Sequence, residues 1–218
     1  MGPFDYKYSY RRNLPHIQPA GATFFITFRL AGSLPQSLID QWQDERRWLA
    51  RLEQTNPDHY TNVRSDLERK WFAKFESVLD GAREGPLWLK DERIADLLAD
   101  SFHHRDGEIY RLDAFSIMPN HSHVVFKPLP LNEIADTDTE DVYHSLSAIM
   151  QSLKGYTAHE SNLLLAREGE FWAHESYDHF IRDYEEWLRI VAYVLNNPVK
   201  AGYVDDWRKW KWNYRREL

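Results

Sequence analysis

The segment Met118 to Phe126, MPNHSHVVF, places two imidazoles one residue apart, just ahead of an apolar, β-favouring run. Residues i and i+2 of a strand point to the same face. His121 and His123 can therefore offer two ring nitrogens to one point while Ser122 faces away. That is the geometry of a two-histidine metal clamp, and such a clamp needs a third ligand. The competing reading is that one histidine packs and the other caps the turn. Further imidazoles stand at His174, His179 and the pair His103-His104. The last pair sits where a helix should end and the dipole favours imidazolium. The chain has no cysteine, which removes disulfides, cysteine-bearing zinc sites and a thiol nucleophile together.

The elements that must carry these histidines follow from the surrounding pattern. Tyr110 to Met118 alternates as a strand, Pro119-Asn120 is a short turn, and Ser122 to Lys127 is a second strand, which predicts an antiparallel hairpin. Gly21 to Leu30, GATFFITFRL, reads as another strand. From Ser33 to about Gly85, Leu38, Trp42, Trp48, Leu49 and Leu52 fall at helical spacing, and Asn56-Pro57-Asp58 breaks the run. Leu67, Trp71, Phe75, Val78 and Leu79 then repeat the pattern. The charges of this helix pair are mixed, so it reads as a solvated face and not as a binding surface. Asp91 to His104 is a third amphipathic helix, and Pro128 to Thr139 is loop. Asp141 to Leu165 is helical, with Leu146, Ile149, Met150, Leu153 and Leu164 on one face. Phe171 to Ile181 is a strand or extended segment. Asp183 caps a last helix, with Glu185 and Glu186 in its first turn. That helix is expected to end at Leu195 or Asn196, because Pro198 follows. The fold class is α+β, with helices packed on an antiparallel sheet.

A chain of 218 residues fits one domain spanning 1–218, with room for an insertion. No apolar run reaches the length of a membrane span. The first residues, MGPFDYKYSYRRN, are charged and aromatic and unlike a signal peptide, and Met1-Gly2 lacks the Ser or Thr of a lipidation site. A cytoplasmic location is the expectation. The net charge of −7, taken as an average, argues against a nucleic-acid partner. Local patches matter more. Trp207 to Arg216 interleaves Arg208, Lys209, Lys211, Arg215 and Arg216 with Trp207, Trp210, Trp212 and Tyr214, and contains no acid. Such a tail, about 205–218, could hold phosphates and stack unpaired bases, or its tryptophans could simply close the core. Arg11, Arg12 and Asn13 form a second basic spot.

MPNHSHVVF resembles the histidine-hydrophobe-histidine signature of the HUH single-tyrosine transposases, and among them the REP-associated tyrosine transposases. GATFFITFRL resembles their first strand, GEFWAHESYDHFIRD their FW…HxIRD block, and YVLNNPVKAGYV their Y-x-x-x-N-P-V-K-A-G stretch. The blocks keep the family order from Gly21 to Val204, and the helices of about 33–85 look like an insertion. The residue between the histidines is usually apolar in the family and is Ser122 here. The resemblance implies a ferredoxin-like HUH fold and a metal-dependent endonuclease and strand transferase acting on single-stranded DNA beside a repeat hairpin. It also implies Mg²⁺ or Mn²⁺, a covalent 5′-phosphotyrosine, a prokaryotic cytoplasm, and a monomer in preference to a homodimer. The N-terminal region, with Arg11, Arg12 and Asn13, would help to recognise the DNA, and Lys200, Arg208, Lys209 and Lys211 are further phosphate candidates.

The family's chemistry needs a tyrosine on a helix, and Tyr156 and Tyr193 compete. At roughly 100° per residue, Tyr193 lies opposite the face of Trp187, Leu188, Val191, Val194 and Leu195, beside Glu186, Arg189 and Asn197. Tyr156 flanks its own apolar stripe and reads as a packed aromatic. The family spacing before N-P-V-K also selects Tyr193. Asn197, four residues on, would share its face and join His121 and His123 as a metal ligand. Were Tyr156 the nucleophile, Glu160 would take that ligand role. Two rival readings remain. One is a DNA-binding relic of the same fold that no longer cleaves. The other is an unrelated HxH metal-dependent hydrolase completed by His174 or His179.

Overall fold

The computed structural model describes residues 9–11, 15–17, 19, 21–81, 85–131 and 143–217. β1 (Ser9–Arg11) and β2 (Pro15–Ile17) pair as a separate antiparallel ribbon. The main sheet contains β3 (Thr23–Leu30), β4 (Tyr110–Ile117), β5 (His121–Pro128), β6 (Trp172–Ile181) and β7 (Asn213–Arg215). They lie in the order β6-β3-β5-β4-β7, each pair antiparallel. Two helices complete the first half of the chain, α1 (Gln36–Thr55) and α2 (Pro57–Gly81); α3 (Glu92–His104), α4 (Leu146–Leu164) and α5 (Tyr184–Lys200) follow. Taken as β3-α3-β4-β5-α4-β6, the chain has the β-α-β-β-α-β order of the ferredoxin-like arrangement, with the helical hairpin α1–α2 set between β3 and α3. The α+β class with an antiparallel sheet is as the sequence pattern indicates.

The alternation in β3 explains the layering. Phe24, Ile26, Phe28 and Leu30 face α3 and α4, joining Leu98, Phe102, Val124, Phe126, Ile149 and Leu153 in the larger core. Phe25 faces the other way, with Val125 and Ala114, against Trp187, Val191, Val194 and Leu195 of α5. Each such buried side chain stabilises by roughly 1.5–3 kcal/mol relative to exposure, so the two faces fix the strand register firmly. Thr27 and Arg29 belong to the α5 face, opposite His123 and His121 in the register.

The helix starts are capped by side chains from the sequence. Asp91 accepts from the Arg93 N–H, Ser145 from Ala148 and Asp183 from Glu186. The hairpin α1–α2 has its own small core of Leu34, Leu38, Trp42, Trp71 and Leu79. It leaves and rejoins the sheet at one place: a Cβ at Gly85 would stand 2.2 Å from the Gly32 carbonyl oxygen, and Gly85 has φ +79°. Only glycine fits there.

Several details depart from the sequence pattern. Trp48, Leu164 and Leu188 are exposed and not on buried faces. The α4 helix begins at Leu146, after its Ser145 cap; residues 132–142, including most of the expected loop and the first expected helical positions, lie outside the described residues. The α5 helix does not stop at Asn196 but runs through Pro198 to Lys200. A proline there forgoes one bond near the end of the helix, while Asn197 and Pro198 are both buried and the turn closes with Ala201 donating to the Asn197 carbonyl. The tail is part of the sheet, because β7 pairs with β4.

Candidate metal centre

His121 and His123 stand on β5 and are fully buried on the α5 face of the sheet. Their Nε2 atoms lie 3.1 Å apart. Two nitrogens each about 2.1 Å from one cation, at about 90–110°, would be roughly 3.0–3.4 Å apart, so the spacing is that of a shared ligand pair. The outer nitrogens are held. Asn120 donates through Nδ2 to the Leu79 carbonyl (3.0 Å), which leaves its Oδ1 to accept from His121 Nδ1 at 2.7 Å. His121 thus carries its proton on Nδ1 and turns a bare Nε2 inward. His123 Nδ1 lies 2.8 Å from Thr27 Oγ1 on β3, and Asn197 Nδ2 donates to His123 Nε2 at 3.0 Å. With His123 Nδ1–H donating to Thr27, its Nε2 is bare as well, whichever way the Asn197 amide is turned. Outer partners of this kind orient metal-binding imidazoles.

The third donor comes from the helical hairpin. Glu76 on α2 is only 3% exposed and its Oε2 is 3.3 Å from His123 Nε2. Among the described residues, Glu76, His121 and His123 form the one group of three side chains placed to hold a metal ion. Burial pushes the Glu76 carboxyl up, but the imidazoles of His123 and His121 and the Tyr193 hydroxyl outweigh it and bring its pKa to about 2. Burial, and then the neighbouring His123, lower His121 to about 3. At neutral pH the centre therefore holds a carboxylate and an uncharged His121, with lone pairs converging. Asn197 Oδ1 is buried without a partner. Turning that amide over would aim a hard oxygen donor at the same point and relieve the orphaned atom. The donor set fits a divalent cation.

Tyr193 reaches this group from α5. Its hydroxyl donates to Glu76 Oε2 in a very short hydrogen bond. Its ring is fixed by Phe25, Phe72 and His123, with centroids 6.0, 6.1 and 5.6 Å away. Burial, the Glu76 charge and the bond to it raise the Tyr193 pKa well above the ordinary phenol range. Helical geometry brings Asn197 to the same face, since α5 persists through residue 197. Tyr156, by contrast, is 49% exposed on α4, which packs on the opposite face of the sheet. It is not the packed aromatic its flank position suggests, and it and Glu160 are separated from the histidines by the sheet. His174 is exposed on β6, and His179 is engaged by Glu186 at 3.0 Å. His103 and His104 end α3, as the dipole argument anticipates. Ser122 is buried on the α3–α4 side and donates to the Ser116 carbonyl at 3.1 Å, which satisfies the hydroxyl where the family pattern has an apolar side chain.

Of the basic candidates, Lys200 lies beside the centre, its Nζ 5.9 Å from the Tyr193 ring centroid, and the tail cations Arg208, Lys209 and Lys211 lie away from it; all four have acidic partners. Lys200 pairs with Asp80 of α2 at 2.6 Å, Arg208 with Asp206 at 3.1 Å, and Lys209 with Asp205 at 2.6 Å. Lys211 reaches Glu92 and Asp96 at 3.1 and 3.2 Å. Trp210 and Trp212 donate to the Ile117 carbonyl and to Asp96, so the tail is clamped to the sheet edge. Arg12 and Asn13 lie outside the described residues, as does the side chain of Arg11.

Sequence reasoning missed Glu76, Asn120 and Thr27. Treating residues 33–85 as a solvated insertion was the error for Glu76. The signal was present: Phe72, Glu76 and Leu79 follow one another at helical spacing, which sets a carboxylate on an otherwise apolar stripe. A charge there has to be paired or has to coordinate.

No family model matches the chain. Over 100 residues, 46% of this chain, it is 28% identical to a provisionally named REP-associated tyrosine transposase of Haemophilus influenzae. The match spans 56% of that relative's length. Among solved structures, the chain is similar to a REP-associated tyrosine transposase bound to a REP hairpin, at 16% identity and a TM-score of 0.49, with 94% of this chain and 80% of that one covered. The resemblance read from the ordered sequence blocks is thus met by a curated relative carrying the same family name.

Proposed function

We propose that this chain is a metal-dependent single-stranded DNA endonuclease and strand transferase of the REP-associated tyrosine transposase type. One observation supports this above the others: the Tyr193 hydroxyl meets Glu76, the carboxylate that also contacts His123. A phenol and a two-histidine clamp 70 residues apart in sequence (123 to 193) thus converge through a side chain from a third element.

His121, His123 and Glu76, with Asn197, would hold a divalent cation, Mg²⁺ or Mn²⁺. When bound, such a cation polarises the scissile phosphate and stabilises charge developing on it. The chain's own residues do the rest. Tyr193 Oη gives up its proton and attacks phosphorus, forming the O–P bond of a 5′-phosphotyrosine. The P–O3′ bond breaks, and the departing 3′ oxygen takes up a proton, so that in net the phenolic proton ends on the 3′ hydroxyl. Glu76 positions the phenol through their hydrogen bond, and Phe25, Phe72 and His123 fix the ring, so the nucleophile is oriented before the strand arrives. The link conserves the phosphodiester energy, so no nucleotide cofactor is needed.

The partner is single-stranded DNA beside a repeat hairpin. Arg11, Arg12 and Asn13 would contact the hairpin. Arg208, Lys209 and Lys211 would exchange their acidic partners for phosphates, since exposed ion pairs contribute only about 0–1 kcal/mol. Lys200, whose partner Asp80 is largely buried, would reach a phosphate while keeping that pair. The proposed working form is a monomer in the prokaryotic cytoplasm. The whole chain, 1–218, would be one domain, with 33–85 a functional part of it.

The test is incubation with hairpin-bearing single strands and Mn²⁺, followed by a denaturing gel. A protein–oligonucleotide adduct is expected, lost in Tyr193→Phe and kept in Tyr156→Phe. Hydrolysis without an adduct would favour a simple metal-dependent hydrolase.

A further inference from the structure

A cavity of about 220 Å³ lies between the helical hairpin and strands β3 and β6. Its walls combine aliphatic and charged side chains with a group of aromatics, Trp42 of α1, Tyr60, Trp71, Phe72 and Phe75 of α2, and Tyr177 of β6. Phe72 and Tyr177 pack against each other, tilted by 31° with ring centroids 4.4 Å apart. Its floor is continuous with the metal centre, because Thr27 and Glu76 line both. Arg29, on the strand position opposite His121, also lines the cavity.

Resting on the reading that the substrate is a DNA strand, we propose that this cavity receives one unpaired nucleobase beside the phosphate being cut. Three features select that occupant. The cavity adjoins the reacting group, because its lining residue Glu76 accepts from the Tyr193 hydroxyl, which puts it within reach of a nucleotide flanking the scissile phosphate. The lining carries four carboxylates, Glu45, Glu53, Glu76 and Glu175, against three guanidiniums, Arg29, Arg46 and Arg64, which disfavours a phosphate and favours an uncharged flat group. Its aromatic faces suit base stacking, which is tolerant of sequence because every base has a π face. The hairpin therefore has two roles. It supplies Glu76 to the cation and a stacking wall to the strand, and it positions the base as other enzymes do when they hold a nucleotide out of its stack.

The experiment uses the full chain carrying Tyr193→Phe, which binds without forming an adduct. The probes are single strands with 2-aminopurine walked through the positions flanking the cleavage site, mapped from the adduct of the unaltered chain. One position should show emission quenched severalfold, and an abasic residue there should weaken binding by roughly 5–150-fold, the range of one stacked base. Ala50→Trp, on an exposed lining position of α1, fills the cavity. It should remove the quenching and the abasic penalty while its circular-dichroism melt stays near that of the parent. Equal binding of abasic and intact strands in the parent, or an unchanged quench in Ala50→Trp, overturns the base site while the adduct leaves the endonuclease reading standing. Absence of any adduct from the unaltered chain overturns both.

Discussion

Glu76→Gln is the sharpest perturbation of this centre. The substitution keeps the shape of a buried side chain and can still accept from Tyr193, but removes the charge that sits 3.3 Å from His123 Nε2. In EDTA the fold should weaken by roughly 1–3 kcal/mol, because the folded chain favours the charged carboxylate, whose pKa falls from 4.5 to about 2. With a cation the outcome differs. Altering even an outer partner of a metal ligand costs about 10–100-fold in affinity, and a directly placed donor belongs at the upper end. At Mn²⁺ equal to about 100 times the parent Kd, binding stabilises the fold by about 2.7 kcal/mol. A 100-fold weaker site leaves about 0.4 kcal/mol under the same conditions. For a chain of this size, that is a Mn²⁺-dependent rise in Tm of roughly 5–11 °C falling to roughly 1–2 °C. Isothermal titration with Mn²⁺ gives the affinities, and thermal melts with Mn²⁺ or EDTA give the linkage. A Kd for Glu76→Gln within threefold of the parent would refute the ligand assignment and return the hairpin to a structural role.

Further outcomes are expected elsewhere. His123→Ala should remove the Mn²⁺-induced shift in Tm as well as the adduct, whereas Tyr193→Phe should remove the adduct alone; melts and denaturing gels separate the two. Trp187 donates to the buried Asp113 carboxylate at 2.8 Å, so Trp187→Phe should lower stability by about 1.5–3 kcal/mol, read by urea unfolding. The cation-free fold should weaken in acid. His121 falls from 6.5 to about 3 and Glu76 from 4.5 to about 2, so in both cases the unfolded chain binds protons first as pH drops. Their contributions are complete above pH 6.5 and decline as pH falls, His121's from 6.5 through about 3 and Glu76's from 4.5 through about 2. Melts in EDTA across pH 7.5 to 3 should show a steady loss in the parent. A parent Tm that stays level between pH 6.5 and 4 would contradict the buried, uncharged state of His121.

The local features of this protein were legible in its sequence because they depend on near neighbours. The i, i+2 pairing of His121 and His123 on one strand face is a matter of pleat, and the Asp183 cap and the Asn56-Pro57 break follow from side chains adjacent to them. The spacing of Tyr193 and Asn197 likewise needed only a helix, although Pro198 pointed to an early end that burial of Asn197 and Pro198 overrode. What tertiary structure decided was which distant groups share a volume. Glu76 is one of many acids in a mixed-charge helix pair until α2 lies over β3 and β5; then its carboxylate is buried between a phenol and two imidazoles. Lys211 reads as free charge along the chain, yet folding brings Glu92 and Asp96 to it, whereas Arg208 and Lys209 pair with their near neighbours Asp206 and Asp205. Periodicity reports which face of an element is apolar. It carries no information about which other element will cover that face, and burial and charge pairing depend on that covering element.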